Sequence, residues 1–278
     1  MSSPEDIAKK PAPRKSRRFF HIRVGVLLAI LAGVLLWAWR DVRQRRARND
    51  WDHTLVVAIA LVRLEPLDDT AIAALRAQLP ALEERLTAEL ERYRPSAPHP
   101  FRFELIAPID GTAPPAVPSG DGLVDLAKYT LALSGYVKDI DRRAAIDDGL
   151  YDVRIYLVLR RPRQALRTMV EGRSEQGGRI GVVEVEIDTE AEAAHLPLVV
   201  VAHELMHTLG ATDKYDATGR TSIPLGLAEP DRVPLYPQRF AELMARNRPV
   251  SATEERVPES FQQIAVGKET AREIRWLR

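Results

Sequence analysis

The residues with the clearest capacity for chemistry lie in one stretch, His203-Glu204-Leu205-Met206-His207-Thr208-Leu209-Gly210-Ala211-Thr212-Asp213. On a helix, His203 and His207 stand one turn apart on the same face. Two imidazoles so placed can hold one Zn²⁺. Glu204 follows the first of them directly, so it lies beside the metal and can act on metal-bound water. Gly210 can take the left-handed conformation that ends a helix. Asp213 then falls just past the turn, where the chain can swing a third ligand back. Three protein ligands leave one position of a tetrahedral zinc open for water, the arrangement of a catalytic site.

The preceding residues predict how this stretch is positioned. Pro197 suits a first helical turn, because its missing N–H would have no partner there. Leu198, Val199, Val200, Val201, Ala202, Leu205, Met206 and Leu209 make the helix apolar almost all round, and such a helix is buried. Two histidines and a glutamate on a buried helix need partners, which a metal supplies. Upstream, the spacing predicts strands over 54–64, 101–106, 151–160 and 179–188, with a further short one over 165–170. It predicts helices over 71–93, where Pro80 can kink or divide the chain, and over 123–137. Pro108 to Gly122 and Ser174 to Gly178 read as loop and turn. Glu259 to Trp276 reads as a closing amphipathic helix. Residues 217–238, rich in Pro and Gly, suit an irregular cleft wall.

His203, Glu204, His207, Gly210 and Asp213 resemble the HExxHxxGxxH/D signature of metzincin-type zinc metallopeptidases, here with Asp213 in the less common choice of third ligand. The resemblance implies an α+β fold, a metzincin-like zincin with a mixed β-sheet, a buried zinc-binding helix and a C-terminal helix. It also implies a methionine turn beneath the metal, for which Glu242-Leu243-Met244-Ala245 supplies Met244. The tyrosine that follows that methionine in some subfamilies is missing. An edge strand that receives substrate is implied too, with 179–188 as one candidate. Tyr215 and Tyr236 are the available oxyanion donors. The resemblance covers Val199 to about Met244.

The N-terminal part reads separately. Lys9, Lys10, Arg14, Lys15, Arg17, Arg18 and Arg23 crowd the start, and Arg40, Arg43, Arg45, Arg46 and Arg48 form a second basic patch. Between them, residues 22–39 are apolar apart from Arg23, about the length of a bilayer core. No small-x-small cleavage site follows, so an uncleaved signal anchor is expected. The expected division is a basic tail over 1–21, a transmembrane anchor over 22–39, a basic juxtamembrane linker over 40–50 and the zinc domain over 51–278. The greater Lys and Arg content before the span puts the N-terminus in the cytoplasm and the domain outside it, in the periplasm if the source is bacterial.

A net charge of +1 argues against a nucleic-acid surface, and the absence of Cys removes disulfides and thiol chemistry. The acidic patch Asp139, Asp141, Asp147 and Asp148 lacks the spacing of a calcium loop and reads as surface charge. The sequence thus points to a membrane-anchored zinc metallopeptidase with Glu204 as general base and a protein or peptide substrate. Two other readings use the same residues. One is a metal-stabilised adaptor without turnover. The other is a zincin whose third ligand is Glu229 or Glu242.

Overall fold

The computed structural model describes residues 17–67, 69–118, 120, 122–160, 172–174, 176–186 and 195–277. The chain divides into two units, Met1–Arg46 and Ala47–Arg278. The first contributes most of helix α1 (Arg17–Arg48), within which Phe19–Arg40 is 22 residues long and apolar enough to cross a membrane. Its large apolar side chains from Phe19 to Leu36, Val24 apart, are exposed. The helix does not stop at Arg40 but runs on through the second basic patch to Arg48.

The second unit is a mixed α/β structure. Its elements are β1 (Leu55–Arg63), α2 (Asp69–Glu91), β2 (Phe101–Asp110), α3 (Leu123–Arg143), β3 (Val153–Arg160), β4 (Gly172–Ser174), β5 (Ile180–Glu186) and α4 (Leu196–Thr208). The first five strands form one sheet in the order β2-β1-β3-β5-β4. β2, β1, β3 and β5 are parallel, and β4 runs antiparallel along β5.

Parallel strands are covered on both faces, and β1 and β3 are accordingly buried almost end to end. Alternate residues serve two cores. Val57, Ile59, Leu61, Ile155, Leu157 and Val183 face α2 and α4, joining Leu75, Leu82, Leu86, Val201 and Leu205. Ala60, Val62, Tyr156, Val158 and Val182 face the other way and meet Val137 and Ile140 of α3. The alternation in 151–160 therefore marks two different cores rather than a buried and a wet face. Pro80 lies inside α2 without dividing it. The strand expected over 101–106 continues to Asp110, and the helix expected over 123–137 continues to Arg143. The short strand expected over 165–170 lies outside the described residues.

The unit is tied to its own N-terminal edge. Trp51 is buried edge-on against Phe101 and Trp276, and its indole Nε1 donates to the Ile274 carbonyl at 2.8 Å. Arg48 and Asn49 are buried as well, and Asn49 donates to the Leu209 carbonyl at 2.7 Å. Both lie within the second unit.

The C-terminal part differs from expectation. In place of one helix over 259–276 there are a 3₁₀ turn (Phe261–Gln263), a two-residue strand β9 (Ile264–Ala265) and a six-residue helix α5 (Lys268–Glu273). β9 pairs with β6 (Ala241–Glu242). Three consecutive residues, Ile264, Ala265 and Val266, are all buried, and β9 holds the first two in extended conformation rather than on a helix face. Gly267 in extended conformation then starts α5. Between α4 and β9 the chain is largely irregular, with a 3₁₀ turn over Leu243–Ala245 and a small hairpin of β7 (Arg248–Pro249) and β8 (Glu255–Arg256).

Candidate metal centre

Helix α4 carries Pro197 in its first turn and buries eleven of its thirteen residues, Pro197 to Met206 and Thr208. It ends as its sequence dictates. Gly210 has φ +106°, its N–H donates to the His207 carbonyl at 2.9 Å, and Ala211 N donates to the Met206 carbonyl at 3.0 Å. This reversal turns the chain so that Asp213 comes back over the last turn. Asp213 Oδ1 lies 3.2 Å from His203 Nε2 and 3.2 Å from His207 Nε2.

The other ring nitrogens fix the tautomers. His203 Nδ1 donates to the Leu243 carbonyl at 2.9 Å, and His207 Nδ1 donates to the Ala211 carbonyl at 2.8 Å. A carbonyl only accepts, so each Nδ1 carries the hydrogen and each Nε2 keeps a lone pair directed at the shared point. The edge of a zinc tetrahedron with ~2.05 Å bonds is about 3.3 Å. The 3.2 Å separations from Asp213 Oδ1 to the two Nε2 atoms match such edges. Among the described residues, ligand atoms of His203, Glu204 and His207 lie within 4.8 Å of one another, so Glu204 too is close to the point where the imidazoles and Asp213 converge. The donor set thus suits zinc in composition, tautomer and spacing.

Electrostatics agree with a ligand role. In the metal-free protein burial works against ionisation of Asp213, but His203 and His207, once their Nε2 atoms are protonated as well, donate to it, outweigh burial and hold the carboxyl far below the usual range. Burial likewise disfavours protonated His207, yet the Asp213 hydrogen bond prevails and raises its pKa. Asp213 is therefore an anion at any ordinary pH, poised between two imidazoles.

Glu204 is almost completely buried, and its position comes from β4. Ser174 Oγ donates to Glu204 Oε2 at 2.6 Å. Glu204 Oε1 lies 4.0 Å from His203 Nε2, beside the convergence point rather than in it. Gly172 makes room for this carboxylate: a Cβ there would fall 2.2 Å from Glu204 Oε1 and 2.4 Å from Cγ. Among the described residues the edge of the sheet at the site is β4, not the strand expected over 179–188. β5 is paired on both sides over residues 181–183, with β3 and with β4.

These groups line one cavity of about 430 Å³. β4, including Arg173, forms one wall, with Gln176 beside it; Leu196, Val199, Val200, Val257 and Pro258 are apolar; Tyr215, Leu243 and Arg246 complete it. The Tyr215 ring stacks on His203 at 6.3 Å between centroids. Burial and the neighbouring Asp213 charge push its phenol up to about 12, so it remains a hydrogen-bond donor at neutral pH. Tyr236 lies elsewhere, in a separate hollow with Asp216 and Arg220. Asp216 caps its own turn through Thr218.

Met244 is fully buried in the 3₁₀ turn, whose Leu243 carbonyl takes the His203 hydrogen bond. The two other glutamates considered as ligands are engaged away from the cavity. The Glu229 carboxylate accepts from Arg239 N at 3.1 Å and from Arg239 Nε at 2.8 Å. Glu242 is fully buried and accepts from Met244 N, Ala245 N, Gly267 N and Thr270 Oγ1. Ser174, Gly172 and Arg246 carry no signal in the sequence that would have placed them here. The acidic residues of α3 and its following turn form ordinary pairs: Asp141 with Arg154 and Tyr156, and Asp139 with Arg142.

No protein-family model matches the chain, and neither does any curated protein sequence. Among solved structures the chain is similar to an archaemetzincin from Archaeoglobus fulgidus complexed with malonate, at 14% identity and TM-score 0.32 over 79% of this chain and 99% of that one. It is similar to an archaemetzincin from Methanopyrus kandleri at 18% identity and TM-score 0.29, over 58% of this chain and 76% of that one. A chain in a chaperone–substrate complex matches at 15% identity and TM-score 0.31, over 64% of this chain but only 29% of its own length.

Proposed function

We propose that the chain is a membrane-anchored zinc metallopeptidase of the HExxHxxGxxD type, with His203, His207 and Asp213 as metal ligands. The observation that carries this reading is the approach of Asp213 Oδ1 to within 3.2 Å of both Nε2 atoms, with Glu204 buried alongside. Bound there, Zn²⁺ would polarise the scissile carbonyl and lower the pKa of a water. The chain's own residues do the proton work. As the water oxygen bonds to the carbonyl carbon, Glu204 takes one of its protons. The C–N bond then breaks with its electron pair on nitrogen, and Glu204 passes the proton to that nitrogen. Ser174 holds the second carboxylate oxygen, which leaves Oε1 to face the reacting atoms.

The cavity supports a peptide substrate. Its short edge strand β4 offers backbone groups for an extended chain, and its apolar wall accepts an apolar side chain. Phe19–Arg40 supports the anchoring, with the N-terminus in the cytoplasm and the catalytic unit outside. The chemistry is tested by Glu204→Gln, which keeps size and hydrogen bonding but removes the base. It should retain zinc and fold while peptide hydrolysis falls by a factor on the order of 10²–10⁴. Hydrolysis at the wild-type rate would end the proposed mechanism.

A further inference from the structure

Arg246 occupies a backbone conformation that few residues other than glycine adopt. It has φ +71° and ψ −49°, and Asn247 N donates to the Ala245 carbonyl at 2.8 Å. This is a γ-turn of the positive-φ kind, the rare and strained form. Such strain persists only where the surroundings over-determine it. Here they do. Buried Glu242 accepts from Met244 N at 2.6 Å and from Ala245 N at 3.0 Å. The Leu243 carbonyl is held by His203, and the Met244 carbonyl accepts from Lys214 N at 2.9 Å. The turn is locked at once to α4 and to the segment that carries Asp213.

What this turn holds in place is a guanidinium. It lies 4.8 Å over the Tyr215 ring, and the Tyr215 phenol feels the charges of both Arg246 and Asp213. Arg246 lines the same cavity as His203, Glu204, His207 and Asp213. The general base is supported from β4, whereas this cation enters from the turn after the 3₁₀ segment. Through Tyr215 it adjoins the candidate ligands, because the Tyr215 ring stacks on His203 at 6.3 Å between centroids. The cation thus stands one ring away from a candidate ligand histidine, on the wall of the same cavity.

Resting on the peptidase reading, we propose that Arg246, together with the Tyr215 hydroxyl, hydrogen-bonds the scissile carbonyl oxygen as it gains negative charge. In the addition step the water oxygen bonds to carbon, the C=O π pair moves onto that oxygen, and the released proton sits on Glu204. In collapse the pair returns, the C–N bond breaks, and nitrogen takes the proton. Arg246 keeps its own protons throughout, because a guanidinium does not deprotonate in a protein. Its hydrogen bonds strengthen only as the charge develops, so they lower the barrier more than they tighten substrate.

The test uses the full-length protein in detergent, as wild type, Arg246→Gly and Arg246→Lys. Glycine relieves the positive φ, so Arg246→Gly should melt no lower than wild type and keep its zinc. Its kcat should fall by about 10²–10³, with KM changed by less than about threefold. Lysine should restore part of that loss, since it supplies the charge without the planar fork. A second readout needs no turnover. A phosphinic peptide, whose tetrahedral anion imitates the transition state, should bind Arg246→Gly about 10²-fold more weakly. A hydroxamate of the same peptide, held mainly by the metal, should keep its affinity. Wild-type kcat and wild-type phosphinic affinity in Arg246→Gly would overturn the proposal. Equal loss of both ligands would do so too, because Arg246 would then only shape the cleft. A wild-type protein that binds zinc yet cleaves no peptide would defeat the peptidase reading, while the two ligands would still decide the role of Arg246.

Discussion

Gly172→Ala is the substitution whose outcome follows most directly from the geometry. The added methyl would meet Glu204 Oε1 at 2.2 Å, Cδ at 2.3 Å and Cγ at 2.4 Å. Non-bonded carbon atoms rest at about 3.5–4.0 Å, so roughly 1 Å of overlap must be relieved. Turning the carboxylate alone cannot do this, because Cγ is as close as the oxygen. The whole Glu204 side chain must change rotamer or β4 must move away. Either response separates Glu204 from Ser174, now 2.6 Å apart, and moves the base off its position. A displacement of about 1 Å in a catalytic group costs on the order of 10²-fold in rate, and overpacking costs about 1–3 kcal/mol of stability. The metal ligands are untouched, so zinc should stay near the wild-type level. The assay pairs elemental analysis with hydrolysis of a fluorogenic peptide at a temperature well below the melting point. A folded, zinc-loaded Gly172→Ala protein that cleaves at the wild-type rate would refute the placement of Glu204 as base.

Two further outcomes are expected. In the metal-free protein, raised His207 contributes stability that is fully present below its unfolded pKa of about 6.5 and is lost as pH rises through the folded value. Depressed Asp213 adds stability above its unfolded pKa, lost only as pH falls through the folded value, so it does not change between pH 6 and 8. Metal-free protein should therefore melt higher at about pH 6 than at about pH 8, and Asp213→Ala should abolish or reverse this slope. Zinc stabilisation should run the opposite way, since protons compete for Nε2; an unchanged slope in Asp213→Ala would contradict the coupling. For topology, protease added to sealed cells with a permeabilised outer layer should digest residues beyond about 51, and full protection there would reverse the proposed orientation.

The parts of the site legible in the sequence are the local ones. His203, His207, Gly210 and Asp213 are related by helix periodicity and one left-handed residue, so their spacing alone predicts that they converge. β4 was not legible, because it is three residues long and exists only through its pairing with β5. Ser174 consequently read as the start of a turn and Gly172 carried no signal, although they support and accommodate Glu204. Tyr215 and Tyr236 were equivalent in the sequence, and only the path of residues 217–238 separates them into different hollows. The C-terminal segment misled for a physical reason: its apolar residues sit on a short extended stretch buried on all sides. Arg246 depends on a strained γ-turn held by Glu242, a side chain whose role in the sequence was ambiguous between ligand and turn.

The central claim is that α4 and Asp213 together hold one catalytic zinc. Elemental analysis of protein purified without chelator tests it most directly, across wild type, Asp213→Ala and the His203→Ala, His207→Ala double variant. The account predicts about one zinc per chain in wild type, weakened retention in Asp213→Ala and none in the double variant, with all three still folded. Wild-type protein without bound metal, or a double variant that retains it, would contradict the claim.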